Sequence, residues 1–189
     1  SPQTVWGAPQ DSLTLRDAGW IHLYVEDNQE ILDTTIQAFR IAEDERVLLP
    51  INVCYDGFYL SHMTERVDVP SQEAVDEFLP KRRLTHILLD PEHPMSVDPL
   101  TPGSLLTEYR QKHIQGMQNA LAVIHEVDVA YGKKFGRSYG GLTETYRIEG
   151  AEIAIVTLGS MTGAARVAVD QARDRGVAVG LLKLRALRP

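Results

Sequence analysis

The segment from Gly136 to Pro189 constrains the fold more than any other part of the chain. An apolar run, Ile153 to Leu158, leads into a Gly-Ser turn, an amphipathic helical stretch and a second apolar run, Val177 to Leu184. Short apolar runs bounded by turn residues read as buried strands. Strand, helix and strand in that order make a βαβ unit with parallel strands. Two parallel strands leave both sheet faces uncovered, so the unit has to continue or dock on something else. The chain also begins at Ser1 rather than at a methionine, and it reads as a portion of a larger object.

A second unit of the same kind lies nearer the start. Residues 1–19 are turn-rich, and Trp20 to Val25 has strand character through its aromatic and branched residues. Asp27 or Asn28 is placed to cap a helix in which Ile31, Leu32, Thr35, Ile36 and Phe39 share a face. Val47 to Val53 is the next strand, interrupted by Pro50, and Tyr55-Asp56-Gly57 turns out of it. Residues 64–103 hold most of the ten prolines and one short helix around Ser71 to Phe78. Asp90 to Pro94, with Pro99 and Pro102, excludes regular helix or central strand. A loop of that length is functional or wraps a neighbour.

From Ser104 to about Phe135 the pattern is helical, carried by Leu106, Tyr109, His113, Met117, Leu121, Ile124 and Asp128, with a break expected near Gly116 or Gly132. The expected class is therefore α/β, with residues 1–103 and 150–189 as parts of two domains and 104–149 as connecting helix and glycine-rich linker.

Composition narrows the function. The apolar share of 43% and charged share of 24% are globular, and a net charge of −7 gives no footprint for nucleic acid. Cys54 is the single cysteine, so neither a disulfide within the chain nor a cysteine-ligated metal centre is available. It sits in the apolar run Ile51 to Tyr55, as a small buried thiol does. No apolar stretch approaches the roughly 20 residues of a membrane span and no signal-peptide pattern opens the chain. The expected compartment is the cytoplasm.

Three places carry candidate chemistry. Gly159, Ser160 and Thr162 stand between a strand and a helix, where exposed amides bind an anion or where Ser160 or Thr162 simply caps the helix. Asp56, Gly57, Ser61 and His62 follow a strand's carboxyl end, the usual ligand position in α/β proteins. There Asp56 as a turn cap and Gly57 with a positive φ are the alternative to a ligand-flanking role. Asp11, Arg16 and Asp17 form a charged loop ahead of the first strand, serving either a carboxylate grip or a loop salt bridge. His86, His93, His113 and His125 show no metal spacing.

Several blocks in order resemble one family. They are Gln10 to Trp20, Glu26 to Glu30, Asp56-Gly57-Phe58 with Ser61-His62, Leu89 to Pro94, Phe135-Gly136-Arg137 with Tyr139-Gly140, Val156 to Gly159, Gly180 to Arg185, and Arg188-Pro189. Their order and spacing resemble the α subunit of 2-oxoacid:ferredoxin oxidoreductases, the pyruvate synthase group, over essentially the whole chain. The resemblance implies two transketolase-like regions. One covers the aminopyrimidine half of thiamine diphosphate, and the other is a transketolase C-terminal-like domain.

It also implies a magnesium-held cofactor shared with a partner subunit, [4Fe-4S] clusters in other subunits, and ferredoxin as electron acceptor. The small 2-oxoacid substrate would face the Asp11 loop, with the Asp56–His62 turn on the cofactor side. The family's activating glutamate and substrate arginine map to no position here. Many members carry an acidic residue and a histidine where this chain has Ala8-Pro9, which implies a substrate other than plain pyruvate, oxalate included. Two other readings stand beside this one: a non-enzymatic α/β interaction module, and a transketolase-type thiamine component without ferredoxin.

Overall fold

The computed structural model describes residues 6–82, 89–97 and 100–189. His86, Pro99 and part of the expected proline-rich loop lie outside the described residues. A five-residue helix, α1 (Gln10–Thr14), precedes the first βαβ unit, built from β1 (Ile21–Tyr24), α2 (Asn28–Ala42) and β2 (Ile51–Cys54). The strands are parallel, with Ile21 opposite Ile51 and Tyr24 opposite Cys54. Asp27 caps α2 by accepting the Glu30 amide, while the Glu30 carboxylate reaches back to the Glu26 amide at 2.7 Å. The two bonds together satisfy donors that a helix start leaves open. The second strand begins only after Pro50, whose carbonyl accepts the Ile21 amide, so residues 47–50 lead into it rather than forming part of it.

Helix α3 (Gln72–Phe78) is capped by Ser71. Helix α4 (Gly103–Phe135) runs 33 residues without the expected break. Gly116 is there for a different reason. A Cβ at that position would sit 2.8 Å from the Val47 carbonyl oxygen, so glycine permits close packing at modest cost in helix propensity. The helix ends where Gly136 adopts a left-handed conformation, with Lys133 and Lys134 in its last turn. Its buried face is Gly116, Ala120, Val123, Ile124, Val127, Asp128 and Tyr131, and all of these but Gly116 fall in the second half. Leu106, Tyr109 and Leu121, expected on that face, are exposed.

Strand β3 (Thr143–Tyr146) lies in the glycine-rich stretch and has no apolar run to announce it. The C-terminal unit follows as β4 (Ile153–Thr157), α5 (Met161–Asp174) and β5 (Val179–Leu184), with β4 and β5 parallel as the pattern requires. The final strand, β6 (Ala186–Arg188), leaves that sheet and pairs antiparallel with β1. The sheets are therefore mixed, ordered β2-β1-β6 and β3-β5-β4, each a parallel pair with one antiparallel strand added. Because β5 runs into β6 through Arg185 alone, the two sheets are tied at one residue.

The main core packs β1, α2, α3 and the second half of α4 around Ile21, Leu23, Ile36, Ile41, Phe78, Ile124 and Tyr131. The second core is small: Val169, Val179 and Leu181.

The apolar face read from the sequence is only partly the buried one of α2: Ile36 enters the core and Leu32 packs against it. Phe39 is 56% exposed and Thr35 is also outside, whereas Glu30, Asp33, Thr34 and Gln37 are fully buried. Asp33 accepts from Gln29, Tyr131, Tyr139 and twice from Arg137, at 2.6 to 3.1 Å. Burial works to raise this carboxyl, but the bonds from Arg137, Tyr139 and Tyr131 hold it below the usual carboxylate range.

Glu30 receives Lys183 Nζ at 2.7 Å and Arg185 Nε at 3.2 Å from the far sheet. Burial opposes the charge on Lys183, and the facing Glu30 and Glu26 carboxylates still hold its ammonium above the usual value. Arg166 of α5 adds a two-point pair to Glu26 at 3.0 and 3.1 Å. This polar seam joins the two sheets.

Candidate functional site

At the carboxyl ends of β1 and β2 the chain opens into a cleft of about 650 Å³. In α/β folds this is where the strand ends leave room for a ligand. One wall comes from the strands themselves, through Tyr24, Asn52, Val53 and Cys54, continued by Tyr55, Asp56 and Gly57. The facing wall is the loop of Trp6, Ala8, Pro9, Gln10, Asp11, Ser12 and Leu15, and Gly159 closes one end. The loop is fastened to the sheet because Ser12 Oγ lies 2.8 Å from the Tyr24 hydroxyl and donates to the Pro9 carbonyl at 3.0 Å. Trp6 is braced from outside by Phe58, ring centres 4.3 Å apart, and by Tyr59 at 5.6 Å.

Of the sequence candidates, Asp11, Asp56, Gly57 and Gly159 line this cleft. Asp56 also settles what the Gly159 turn does within this chain. Its carboxylate accepts the Ser160 amide at 2.8 Å and the Ser160 hydroxyl as well. The anion at the start of α5 is therefore a side chain from the other βαβ unit, a favourable charge for a helix N-terminus. Neither Ser160 nor Thr162 caps the helix with its side chain. Thr162 instead lies 3.0 Å from Thr157, hydroxyl to hydroxyl, in a buried pair. Gly159 has φ +70°, and a Cβ on it would stand 3.0 Å from Asp56 Oδ2, so two constraints call for glycine.

Arg16 and Asp17 are not part of the cleft lining. They pair with each other at 3.3 Å, and Arg188 of β6 binds the Asp17 carboxylate and the Arg16 carbonyl. That is the loop salt bridge of the two alternatives. Ser61 and His62 also lie outside the lining. Ser61 Oγ accepts the Phe58 amide at 2.9 Å and bonds His62 Nδ1 at 2.8 Å, and the imidazole stacks on Phe58. The positive φ expected at Gly57 belongs to Phe58, at +62°.

The cleft also contains residues that the sequence pattern did not single out. Tyr24 and Tyr55 sit at the ends of predicted strands, and that position was the available signal. Burial pushes the Tyr24 hydroxyl and the Cys54 thiol up, so both stay protonated at neutral pH. Behind Cys54, His22 is fully buried and burial pushes its imidazole down, which favours the neutral ring. Among the described residues no three His, Cys, Asp or Glu side chains are grouped to hold a metal ion, and no helix is long and apolar enough to cross a membrane.

The cleft lining offers aromatic and apolar surface with two carboxylates and, among the described residues, no lysine or arginine. The class these features define is an α/β protein with an open aromatic and apolar cleft at the carboxyl ends of a parallel strand pair. Comparison with known proteins agrees with that class. Residues 1–128 match the family model of the thiamine diphosphate-binding region of pyruvate flavodoxin/ferredoxin oxidoreductases, and residues 151–189 match that of pyruvate:ferredoxin oxidoreductase core domain II. The chain belongs to the pyruvate flavodoxin/ferredoxin oxidoreductase family.

Among its relatives, the α subunit of the NADH-dependent phenylglyoxylate dehydrogenase of Aromatoleum evansii is 51% identical over 196 residues, covering all of this chain and 47% of that subunit. The pyruvate synthase subunit PorA of Methanothermobacter thermautotrophicus is 44% identical over 189 residues, covering all of this chain and 49% of PorA. The ketoisovalerate oxidoreductase subunit VorA of Pyrococcus horikoshii is 39% identical over 188 residues, again with the whole chain and 47% of the relative covered. The chain spans about half the length of these curated relatives.

Proposed function

We propose that the chain is part of the α subunit of a thiamine diphosphate-dependent 2-oxoacid oxidoreductase, which decarboxylates a small 2-oxoacid and passes the electrons to ferredoxin through iron–sulfur clusters in other subunits. The observation that carries this reading is the cleft at the ends of β1 and β2, whose lining, Gly159 apart, falls within the part of the chain matching the thiamine diphosphate-binding family model. The residues present fit the ring end of that cofactor. Tyr24 and Tyr55 supply aromatic surface, and the protonated Tyr24 and Cys54 add no charge to the wall. When bound, thiamine diphosphate supplies the electron sink for loss of CO2.

This chain's own part is to shape the pocket and exclude water from it, with Asp56 holding the Gly159 turn at its rim. Magnesium and the diphosphate belong to a partner subunit in this reading. The domain limits of 1–103, 104–149 and 150–189 are part of the same proposal.

The sequence points to a small 2-oxoacid such as pyruvate or oxalate, with the Ala8-Pro9 change turning it away from plain pyruvate. The lining favours a monoanion with an apolar side chain over oxalate, because a second carboxylate would face Asp11 and Asp56 with no cation from the described lining. The 51% identity to an NADH-dependent relative supports a second reading of the acceptor, in which nicotinamide rather than ferredoxin takes the electrons. The test is to purify the intact complex, quantify thiamine diphosphate, and follow 2-oxoacid-dependent reduction of ferredoxin and of NAD. Thiamine diphosphate near one per complex unit with reduction of either acceptor is expected. A complex free of thiamine diphosphate and inert to every 2-oxoacid would contradict the proposal.

A further inference from the structure

We infer that the 2-oxoacid turned over at this cleft carries an aromatic side chain, and that Trp6, set on a braced aromatic platform beside Ala8 and Pro9, selects it. The inference rests on the reading of the cleft as the substrate and cofactor site.

Trp6 lines the cleft yet is 52% exposed, an unusual state for so large an apolar side chain with a core nearby. Its position is prepared. Phe58 lies 4.3 Å from it, and Phe58 holds a left-handed φ of +62°, a conformation that costs a bulky residue and is kept only where surroundings enforce it. The enforcing contacts are the Ser61 hydroxyl on the Phe58 amide and the His62 ring stacked on the Phe58 ring, centres 5.3 Å apart. The Ser61-His62 pair, which lies outside the cleft lining, therefore acts as the clasp that positions Phe58 and through it Trp6.

The rest of the wall matches an aromatic guest. Ala8 and Pro9 next to Trp6 present neither charge nor bulk, and Leu15 and Tyr55 are large apolar side chains that also line the cleft and remain exposed. A rigid aromatic surface already in place binds an aryl group without loss of side-chain freedom and prefers offset or edge contact with it. A methyl group such as that of pyruvate would leave most of this surface wet. A hydrophobic site distinguishes ligands by roughly 10- to 200-fold per methylene, so a missing ring is a large defect.

The experiment uses the intact complex and compares kcat/KM for phenylglyoxylate, pyruvate and oxalate by viologen reduction. The expected order places phenylglyoxylate at least about tenfold above pyruvate, with oxalate last. Trp6→Ala is expected to lower kcat/KM about tenfold more for phenylglyoxylate than for pyruvate, mainly through KM, and Trp6→Phe to restore most of the difference. Ala8→Asp, which puts a carboxylate on the wall, is expected to move the ratio in the same direction as Trp6→Ala. Preference of the unaltered complex for pyruvate or oxalate, or an equal loss on all substrates in Trp6→Ala, would overturn the inference while leaving the proposed function standing. Failure to turn over any 2-oxoacid would remove the proposed function, and the inference with it.

Discussion

The polar seam and the aromatic cleft lie at opposite ends of one design choice. In the seam, charged groups are buried and saturated: Asp33 accepts five hydrogen bonds, and Glu30 faces both Lys183 and Arg185. In the cleft, large apolar groups are left exposed, and the two carboxylates on its lining have other tasks, Asp11 with the Ser12 amide and Asp56 with Ser160. Polar groups hidden and apolar groups displayed is the reverse of the usual partition. The seam places its polarity between the two sheets; the cleft leaves its apolar surface uncovered in this chain.

Substitutions should separate the two regions by what they damage. The largest effect is expected for Asp33→Ala, which removes a fully buried carboxylate and takes the acceptor from the Tyr131 and Tyr139 hydroxyls, leaving Arg137 with Asp68 alone. Loss of about 3–5 kcal/mol of stability is expected for breaking a buried ion pair from one side, measured by denaturant unfolding of the intact subunit. A loss below about 1 kcal/mol would mean that the Asp33 cluster does little to hold α2 against the end of α4 and the segment after it. Gly116→Ala comes next. Its methyl must displace the Val47 carbonyl, and about 1–3 kcal/mol is expected from overpacking.

Asp56→Ala removes the anion at the start of α5 and is expected to cost about 0.5–2 kcal/mol, the range for a lost helix cap. Trp6→Ala should cost about 1 kcal/mol, in the range for losing aromatic contacts at a half-exposed site, while changing substrate preference most.

Acid sharpens the same contrast. The Asp33 carboxyl is held below its ordinary value, so the unfolded chain takes up that proton first as pH falls. Its contribution is complete above the unfolded value of about 3.9 and is lost as pH drops through the folded value. In Asp33→Asn the acid limb of the stability curve should be shallower than in the parent chain. An unchanged limb would place the acid sensitivity elsewhere.

The two regions were unequally legible in the sequence. Strands β1, β4 and β5 announce themselves by apolar runs, and β2 by the shorter run after Pro50. Strands β3 and β6 do not, because Thr143–Tyr146 and Ala186–Arg188 carry no distinctive pattern and exist by pairing with β5 and β1. The inward face of α2 was misread in part, for a similar reason. Periodicity assigns burial to Ile31, Leu32 and Phe39, but the partners that make Asp33 and Glu30 buriable lie more than 100 residues away.

At the cleft, Asp11, Asp56 and Gly159 could be found from turn position and residue type. Arg16 could not be told from a ligand-gripping arginine until Arg188 was seen to join its loop. Trp6 gave no local signal, since an exposed aromatic in a loop gains meaning only when a facing wall is known.

The central claim is that the cleft between the Tyr24–Tyr55 wall and the Trp6 loop receives the ring end of thiamine diphosphate. A structure of the intact complex with the cofactor and an unreactive 2-oxoacid analogue tests it most directly. The account predicts the cofactor's rings in van der Waals contact with the Tyr24–Tyr55 wall, and the analogue's side chain against Trp6 and Pro9. A cleft filled by protein from a neighbouring subunit, with the cofactor bound elsewhere, would contradict it.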